Sequence, residues 1–137
     1  MALTHLVDTS VIARLGVPSV KAVIGPLVSD GRVGRAGITD LEVGFSSRNS
    51  REWDADMADL SIFALVETTA GHFHRARQVQ RLLASRSLRG RKVPDLLIAA
   101  AAEASGLALL HYDADFDQIV RVTGQPCEWV VPRGTID

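Results

Sequence analysis

The chain has 137 residues, of which 47% are hydrophobic and 23% charged, a composition typical of one soluble globular domain spanning residues 1–137. Fifteen Lys and Arg residues against sixteen Asp and Glu residues leave a formal charge of −1, which excludes a global cationic field. The single cysteine, Cys127, excludes an internal disulfide and a Cys-rich zinc module. No apolar run approaches the roughly 20 residues of a membrane span, and no signal peptide is visible. We therefore expect a cytoplasmic protein with no membrane contact.

Hydrophobic periodicity and turn residues predict the secondary structure in chain order. Strands are expected at residues 3–7, 33–38, 107–111 and 127–131, and helices at residues 20–28, 39–46, 51–63, 72–84 and 95–105. Pro94 suits the first position of the last of these helices and Gly106 its exit, and the apolar interior LLIAAAA implies burial on most sides. Strands separated by helices indicate an α/β fold with a mostly parallel sheet, in which ligands bind beyond the carboxyl ends of the strands.

Acidic residues follow several of these strands. Asp8 and Asp113 come within two residues of a strand end, Glu42 lies in the segment after the second strand, and Asp95 lies in the first turn of the apolar helix. In a parallel sheet the first three converge at one edge, and Asp95 joins them if its helix starts there. Grouped carboxylates persist only with protons or cations to offset their repulsion. An all-oxygen ligand set selects a hard ion such as Mg²⁺ or Mn²⁺, which supports phosphodiester hydrolysis.

Each of these acids also has a purely structural interpretation. Asp8 and Asp113 are suitable N-caps for following helices. Thr39 and Glu42 match a capping box, in which the Glu side chain holds its own helix start. Asp95 in a first turn is favoured by the helix dipole without any metal. The residue pattern leaves both interpretations open for each position.

Basic residues are concentrated directly before Asp95. Seven of the fifteen Lys and Arg residues lie between positions 67 and 95, a stretch without an acidic residue. The four nearest to Asp95 are candidate RNA-binding residues: Arg86, Arg89, Arg91 and Lys92. A cationic strip that leads into an acidic metal site suits an enzyme that cuts a phosphate backbone, because such side chains anchor the strand. The alternative is a solvated helix face.

Four segments occur in the order and spacing of a known family: LVDTSV, ITDLEVG, KVPDLLIAAAAEASG and LLHYDADFDQI. With them the chain resembles the PIN-domain ribonucleases, and most closely the VapC toxins of bacterial toxin–antitoxin pairs. The likeness covers essentially the whole chain. It implies a three-layer α/β/α fold and an endoribonuclease that depends on Mg²⁺ or Mn²⁺. It also implies homodimers and inhibition by a VapB-type antitoxin, whose C-terminal tail enters a groove of the toxin.

The resemblance also implies roles for individual residues. The acidic quartet of the family corresponds to Asp8, Glu42, Asp95 and Asp113. Metal ligands would come from Asp8, Asp95, Asp113 and Asp115, and the hydroxyls of Thr9 and Thr39 would orient the carboxylates. His111 stands where some members carry Thr or Ser, which leaves open what supports Asp113.

Three further residues, Trp53, Met57 and Leu60, fit an apolar groove for the antitoxin tail, a dimer interface or a plain core stripe. Two other functions remain as alternatives to a toxin. One is a PIN-domain nuclease for RNA processing, which predicts the same acidic site. The other is a non-catalytic α/β binding module, in which Asp8 or Asp113 only caps a helix.

Overall fold

The computed structural model describes residues 2–89 and 92–137. Within these residues the chain forms five strands and seven helices. The strands are β1 (His5–Val7), β2 (Val33–Ala36), β3 (Ala64–Val66), β4 (Ala108–His111) and β5 (Cys127–Trp129). The helices are α1 (Thr9–Ile12), α2 (Pro18–Ser29), α3 (Gly37–Phe45), α4 (Ser50–Leu60), α5 (Ala70–Ser85), α6 (Val93–Ala104) and α7 (Asp115–Thr123).

The strands form one sheet in the order β3-β2-β1-β4-β5, and every neighbouring pair is parallel. Val7 in β1 lies beside Arg35 in β2 on one side and beside Leu110 in β4 on the other. β2 and β3 lie on one side of β1, and β4 and β5 lie on its other side. The strand order therefore reverses between β1 and β4, which is where open parallel sheets bind ligands.

The two faces of the sheet carry separate hydrophobic cores because successive residues of a strand point to opposite sides. Leu6 and Leu109 pack on one face with side chains from α5, α6 and α7. Val7 and Leu110 pack on the other face with side chains from α1, α2 and α4. Helices on both faces of a parallel sheet make three layers, so the predicted α/β/α fold with a parallel sheet is confirmed.

Helix α6 is the most deeply embedded helix of the described residues. Every residue from Asp95 to Ala102 is buried, and the alanines at 99–102 allow the helix to approach both the sheet and α5 closely. The predicted burial of this segment is therefore confirmed. None of the helices in the described part of the chain combines the length and the apolar character that crossing a membrane requires.

Three elements lie outside the ranges predicted from the sequence pattern: α1, β3 and α7. Strand β3 is a short edge strand whose first two residues are exposed, so it carries no apolar alternation. Helix α7 follows the acidic turn at Asp113 and ends at Gly124, whose φ of +68° lies in the left-handed region that glycine adopts readily. In α4, Leu60 is buried and Met57 packs against the core, whereas Trp53 is 45% exposed.

Candidate active site

Asp8 and Asp113 lie at the reversal point of the sheet. Asp8 directly follows β1, and its backbone N–H donates to the carbonyl of Leu110 in β4 (2.9 Å). Its carboxylate Oδ2 accepts from the backbone N–H of Ser10 (3.0 Å), so Asp8 does cap α1. Asp113 lies two residues beyond the end of β4. The parallel register therefore brings both aspartates to the same edge of the sheet, although they are 105 positions apart in the sequence.

Three carboxylates form a tight group at this edge. Asp95, Asp113 and Asp115 each present an oxygen, and these atoms all lie within 4.8 Å of one another. Asp95 is placed there because α6 starts at this edge, with Pro94 in its first turn. Asp115 is placed there because α7 starts directly after Asp113, and its backbone N–H donates to Asp113 Oδ1 (2.9 Å). Asp8 and Glu42 are not members of this group.

The Lys92 ammonium lies against all three carboxylates. Its Nζ is 3.0 Å from Asp113 Oδ2, 3.2 Å from Asp115 Oδ2 and 3.7 Å from Asp95 Oδ2. Partial burial lowers the pKa of Lys92, but the hydrogen bonds to Asp113 and Asp115 and the charge of Asp95 outweigh it, so the pKa is raised. A positive charge therefore already sits where the sequence predicts a cation.

Asp95 is the carboxyl of the group whose negative charge is least stabilised by its surroundings. Its side chain is 9% exposed, and its Oδ2 has no hydrogen-bond partner among the described residues. Burial, followed by the negative charge of Asp8, raises the pKa of Asp95 to about 7, although the charge of Lys92 opposes this shift. Asp8 thus lies close enough to act on Asp95. A buried carboxylate oxygen without a hydrogen bond is costly, and the Lys92 ammonium at 3.7 Å offsets this cost only in part.

The pKa values of the two neighbouring aspartates shift in opposite directions. Burial raises the pKa of Asp8, and the charge of Glu42 adds to this shift while the hydrogen bonds from Ser10 oppose it. Burial would also raise the pKa of Asp113, but the backbone N–H of Asp115 and the Lys92 ammonium donate to its carboxylate, and the pKa is lowered. Asp113 is therefore stabilised as a carboxylate by its neighbours, whereas the negative charge of Asp8 is disfavoured by its surroundings.

Glu42 is tied to the site through two threonines. The Thr9 hydroxyl donates to Glu42 Oε1 (2.7 Å) and lies 3.3 Å from the hydroxyl of the fully buried Thr39. Helix α3 begins at Gly37, with Ala36 as its N-cap, so Thr39 and Glu42 do not form a capping box. The structure therefore brings Thr9, Thr39 and Glu42 together beside Asp8.

His111 supports Asp113 from below. Its buried Nδ1 accepts from the backbone N–H of Asp113 (3.2 Å). Its ring packs 5.0 Å from Phe116 and 4.9 Å from Trp129, between centroids. Burial lowers the pKa of His111, which keeps the ring neutral and Nδ1 free to accept. The sequence placed His111 near the acids but did not reveal this role.

Three of the four predicted RNA-binding residues lie within the described part of the chain. Arg86 is exposed and donates to the carbonyl of Arg121 (3.2 Å), and Arg89 is exposed. Arg91 lies outside the described residues. Lys92, the fourth predicted RNA-binding residue, has its ammonium in the acid group. Its position three residues before Asp95 and directly before α6 is the signal in the sequence for its contact with Asp95.

The model of the PIN domain family matches residues 5–122 of the chain. This chain belongs to the PIN-domain family. It is 62% identical to Ribonuclease VapC51 of Mycobacterium tuberculosis over all 137 residues, which is 100% of both chains. It is 41% identical to Ribonuclease VapC21 of the same species, over 98% of this chain and 99% of the relative. The resemblance to VapC-type PIN domains that the four sequence segments indicate is therefore confirmed.

Solved structures agree with this PIN-domain fold. The crystal structure of DNA-bound VapBC from Salmonella typhimurium matches with a TM-score of 0.78 over 94% of this chain and 99% of that one, at 18% identity. The structure of VapBC2 from Rickettsia felis, bound to a DNA fragment from its promoter, matches with a TM-score of 0.77 over 94% and 99%, at 17% identity. At such identities the matches establish the fold alone.

Proposed function

We propose that this chain is the toxin of a VapBC-type toxin–antitoxin pair and an endoribonuclease that hydrolyses phosphodiester bonds of RNA. The observation that carries this proposal is the group of Asp95, Asp113 and Asp115 at the reversal point of the sheet. The names of the VapC relatives as ribonucleases support the reaction class. Solved VapBC complexes with the same fold support a VapB-type antitoxin as the partner.

The residues of the site fit a divalent metal ion. All donors are carboxylate oxygens, which Mg²⁺ and Mn²⁺ prefer, and the buried Asp95 Oδ2 lacks a hydrogen-bond partner among the described residues. Asp95, Asp113 and Asp115 would hold the ion, with Asp8 beside them. When bound, such an ion supplies positive charge to the phosphate that is cleaved and to the oxygen that leaves.

The remaining residues of the site position these ligands. Thr9 and Thr39 fix Glu42 beside Asp8, so that the negative charge of Glu42 acts on Asp8. His111 and the backbone N–H of Asp115 fix the Asp113 turn. Arg86, Arg89, Arg91 and Lys92 remain the proposed contacts to the RNA backbone, with Lys92 available to RNA once a metal ion takes its place.

We also propose that residues 1–137 act as one domain and that two copies form a homodimer. A cleft next to the site would receive the antitoxin tail. It has a volume of about 460 Å³, an apolar floor that includes Leu60 and Phe63, and acidic walls formed by Glu52, Asp56 and Asp59. Such a cleft suits a segment with both apolar and basic side chains.

Replacement of Asp95 tests the proposed function. We expect Asp95→Asn to lower RNA cleavage in Mn²⁺ by more than about 100-fold, because loss of a ligand exceeds the 10–100-fold effect of a residue that only supports one. The fold and the antitoxin complex should persist, since Asn fills the same volume. Cleavage of structured RNAs is measured by end mapping, the fold by circular dichroism and the complex by size-exclusion chromatography.

Asp54→Asn, at an exposed position of α4, provides the matched control and should cleave like the wild type. Undiminished cleavage by Asp95→Asn would remove Asp95 from the chemistry. Absence of cleavage by the wild type, with and without Mn²⁺, would favour a non-catalytic binding module.

A further inference from the structure

A second cleft borders the acid group on the side of the C-terminal segment. Its volume is about 480 Å³, and it shares Asp113 with the proposed catalytic site. Its other main residues are Ser10, Arg14, Tyr112, Trp129 and Arg133. Lys92 does not line it. The cleft therefore borders the acid group at Asp113, on a side that Lys92 does not cover.

Two arginines lie over aromatic rings in this cleft. The guanidinium carbon of Arg14 lies 5.0 Å from the ring centroid of Tyr112, and that of Arg133 lies 5.5 Å from the ring centroid of Trp129. The two rings meet edge to face, with centroids 5.2 Å apart. Stacking on a ring orients a planar guanidinium without using its N–H groups.

The polar atoms of both aromatic side chains are already bound. The Tyr112 hydroxyl accepts from the backbone N–H groups of Gly134 (2.9 Å) and Ile136 (3.3 Å), and Trp129 Nε1 donates to Asp117 Oδ1 (3.2 Å). The arginines cover the ring faces. The cleft therefore offers a ligand the two guanidinium groups, beside the carboxylates of Asp113 and Asp137, rather than a platform for stacking a base.

Arg14 is held in place by hydrogen bonds, one of which goes to a carboxylate. Its Nη1 donates to the carbonyl of Ser10 (2.7 Å), and its Nε donates to Asp137 Oδ1 (3.1 Å). The Asp137 side chain is 71% exposed, whereas that of Arg14 is 24% exposed. The exposed partner of such a pair is easily exchanged, because water and salt screen the attraction. A phosphate oxygen is a suitable replacement.

We propose that this cleft binds a backbone phosphate of the RNA strand adjacent to the bond that is cleaved, with Arg14 and Arg133 as its ligands. This inference rests on the proposed function, which places the scissile phosphate at Asp113. The neighbouring phosphates of the same RNA strand must pass close to that point, and this cleft places two arginines next to Asp113. In the free protein the Asp137 carboxylate accepts a hydrogen bond from Arg14, and the phosphate displaces this carboxylate when RNA binds.

Three variants of the full chain test this site, with fluorescein-labelled 20-nucleotide single-stranded RNA of mixed sequence as the probe. Anisotropy is measured in EDTA, which withholds the metal ion and keeps the RNA intact. We expect Arg133→Ala and Arg14→Gln each to weaken binding about fivefold, since one charged contact is worth about 1 kcal/mol. Asp137→Asn should tighten binding about threefold, because Arg14 no longer has a competing carboxylate.

Salt dependence supplies a second readout. Each lost phosphate contact should reduce the slope of log K against log salt by about 0.7. Arg51→Ala, at an exposed position of α4 outside the cleft, provides the matched control and should change neither affinity nor slope beyond the effect of net charge. Arg133 is exposed, so its truncation should leave the fold intact.

Several results would overturn the proposal. If the wild type cleaves RNA in Mn²⁺ but Arg133→Ala and Asp137→Asn bind the probe like Arg51→Ala, the site is absent while the proposed function stands. If the wild type neither binds nor cleaves RNA, the proposed function fails together with the site. A labelled octaglutamate peptide tests whether the cleft binds an acidic protein segment instead of RNA. If Arg14→Gln and Arg133→Ala lose binding of this peptide but bind the RNA probe like the wild type, the cleft is a protein-docking site.

Discussion

At the scale of single residues, Lys92 decides the charge balance of the acid group. Its ammonium contacts Asp113 and Asp115 within 3.2 Å and lies 3.7 Å from Asp95. Two cations cannot share this space, because the like charges would repel each other at short range. The lysine side chain, 59% exposed, has free solvent into which it can move. Lys92 thus offsets the charge of the carboxylates, and we propose that it moves away from them when a divalent ion binds.

We expect Lys92→Met to bind Mn²⁺ about fivefold more tightly than the wild type, since a partly exposed ion pair contributes up to ~1 kcal/mol. Isothermal titration calorimetry at pH 8.5 measures this affinity above the pKa of Asp95, where protons do not compete. Arg89→Met, at an exposed position three residues earlier in the sequence, is the matched control and should bind Mn²⁺ like the wild type. Weaker binding by Lys92→Met would contradict competition and make the lysine a supporting residue for the ion.

At the scale of elements, the pairing of α5 with α6 explains how the basic strip reaches the site. Arg75 near the start of α5 donates through Nε to Glu103 near the end of α6 (2.7 Å). The helices therefore run in opposite directions, and the end of α5 lies beside the start of α6, where Asp95 is. Arg77 and Arg81 line an open cleft on the outer face of α5. The charges thus form a surface that leads towards the carboxylates.

We expect the double variant Arg81→Glu/Arg89→Glu to weaken RNA binding at least about tenfold and to flatten its salt dependence, because four units of charge change along the path of the strand. Anisotropy at several salt concentrations measures both. Lys21→Glu/Arg51→Glu makes the same charge change at exposed positions of α2 and α4. If both double variants lose the same RNA affinity, the basic residues before Asp95 act only through the net charge of the protein.

The elements also show how far local patterns reach. The helices α2, α4, α5 and α6 follow the predicted periodicity because each buries one apolar face or, for α6, nearly its whole surface. Strand β3 escapes prediction because pairing with β2, not its own pattern, makes it a strand. At Gly34 in β2, an added Cβ would lie 2.9 Å from the Ala64 carbonyl, so this pairing also depends on the glycine.

At the scale of the whole molecule, the acid group couples folding to pH. Folding raises the pKa of Asp95 from 3.8 to about 7, so the folded metal-free chain binds a proton more tightly than the unfolded chain. This contribution to stability is fully present below pH 4 and is lost as the pH rises through 7. The raised pKa of Asp8 acts in the same direction.

We therefore expect the free energy of unfolding in EDTA to fall between pH 4.5 and pH 7.5 by more in the wild type than in Asp95→Asn. The difference should be a few kcal/mol at most, since each unit of pKa shift is worth about 1.4 kcal/mol. Urea titrations at intervals of one pH unit measure it. Parallel curves for the two proteins would show that Asp95 ionises as freely in the folded chain as in the unfolded one.

The sequence by itself determined the order of most helices and strands, the α/β class and the acids that stand at strand and helix ends. These features follow from the spacing of residues that are close in the chain. It also carried the family resemblance, since the four segments keep their order. The tertiary structure decided which acids form a close group, that Lys92 lies among them, and that His111 supports Asp113.

The tertiary structure alone also decided the second cleft. Arg14 and Asp137, which pair there, are 123 positions apart, and the backbone N–H of Tyr112 donates to Ser10 Oγ (2.9 Å) across 102 positions. No local pattern encodes such contacts. They arise because the parallel sheet brings the ends of β1 and β4 side by side, and side chains then pair according to distance, charge and burial.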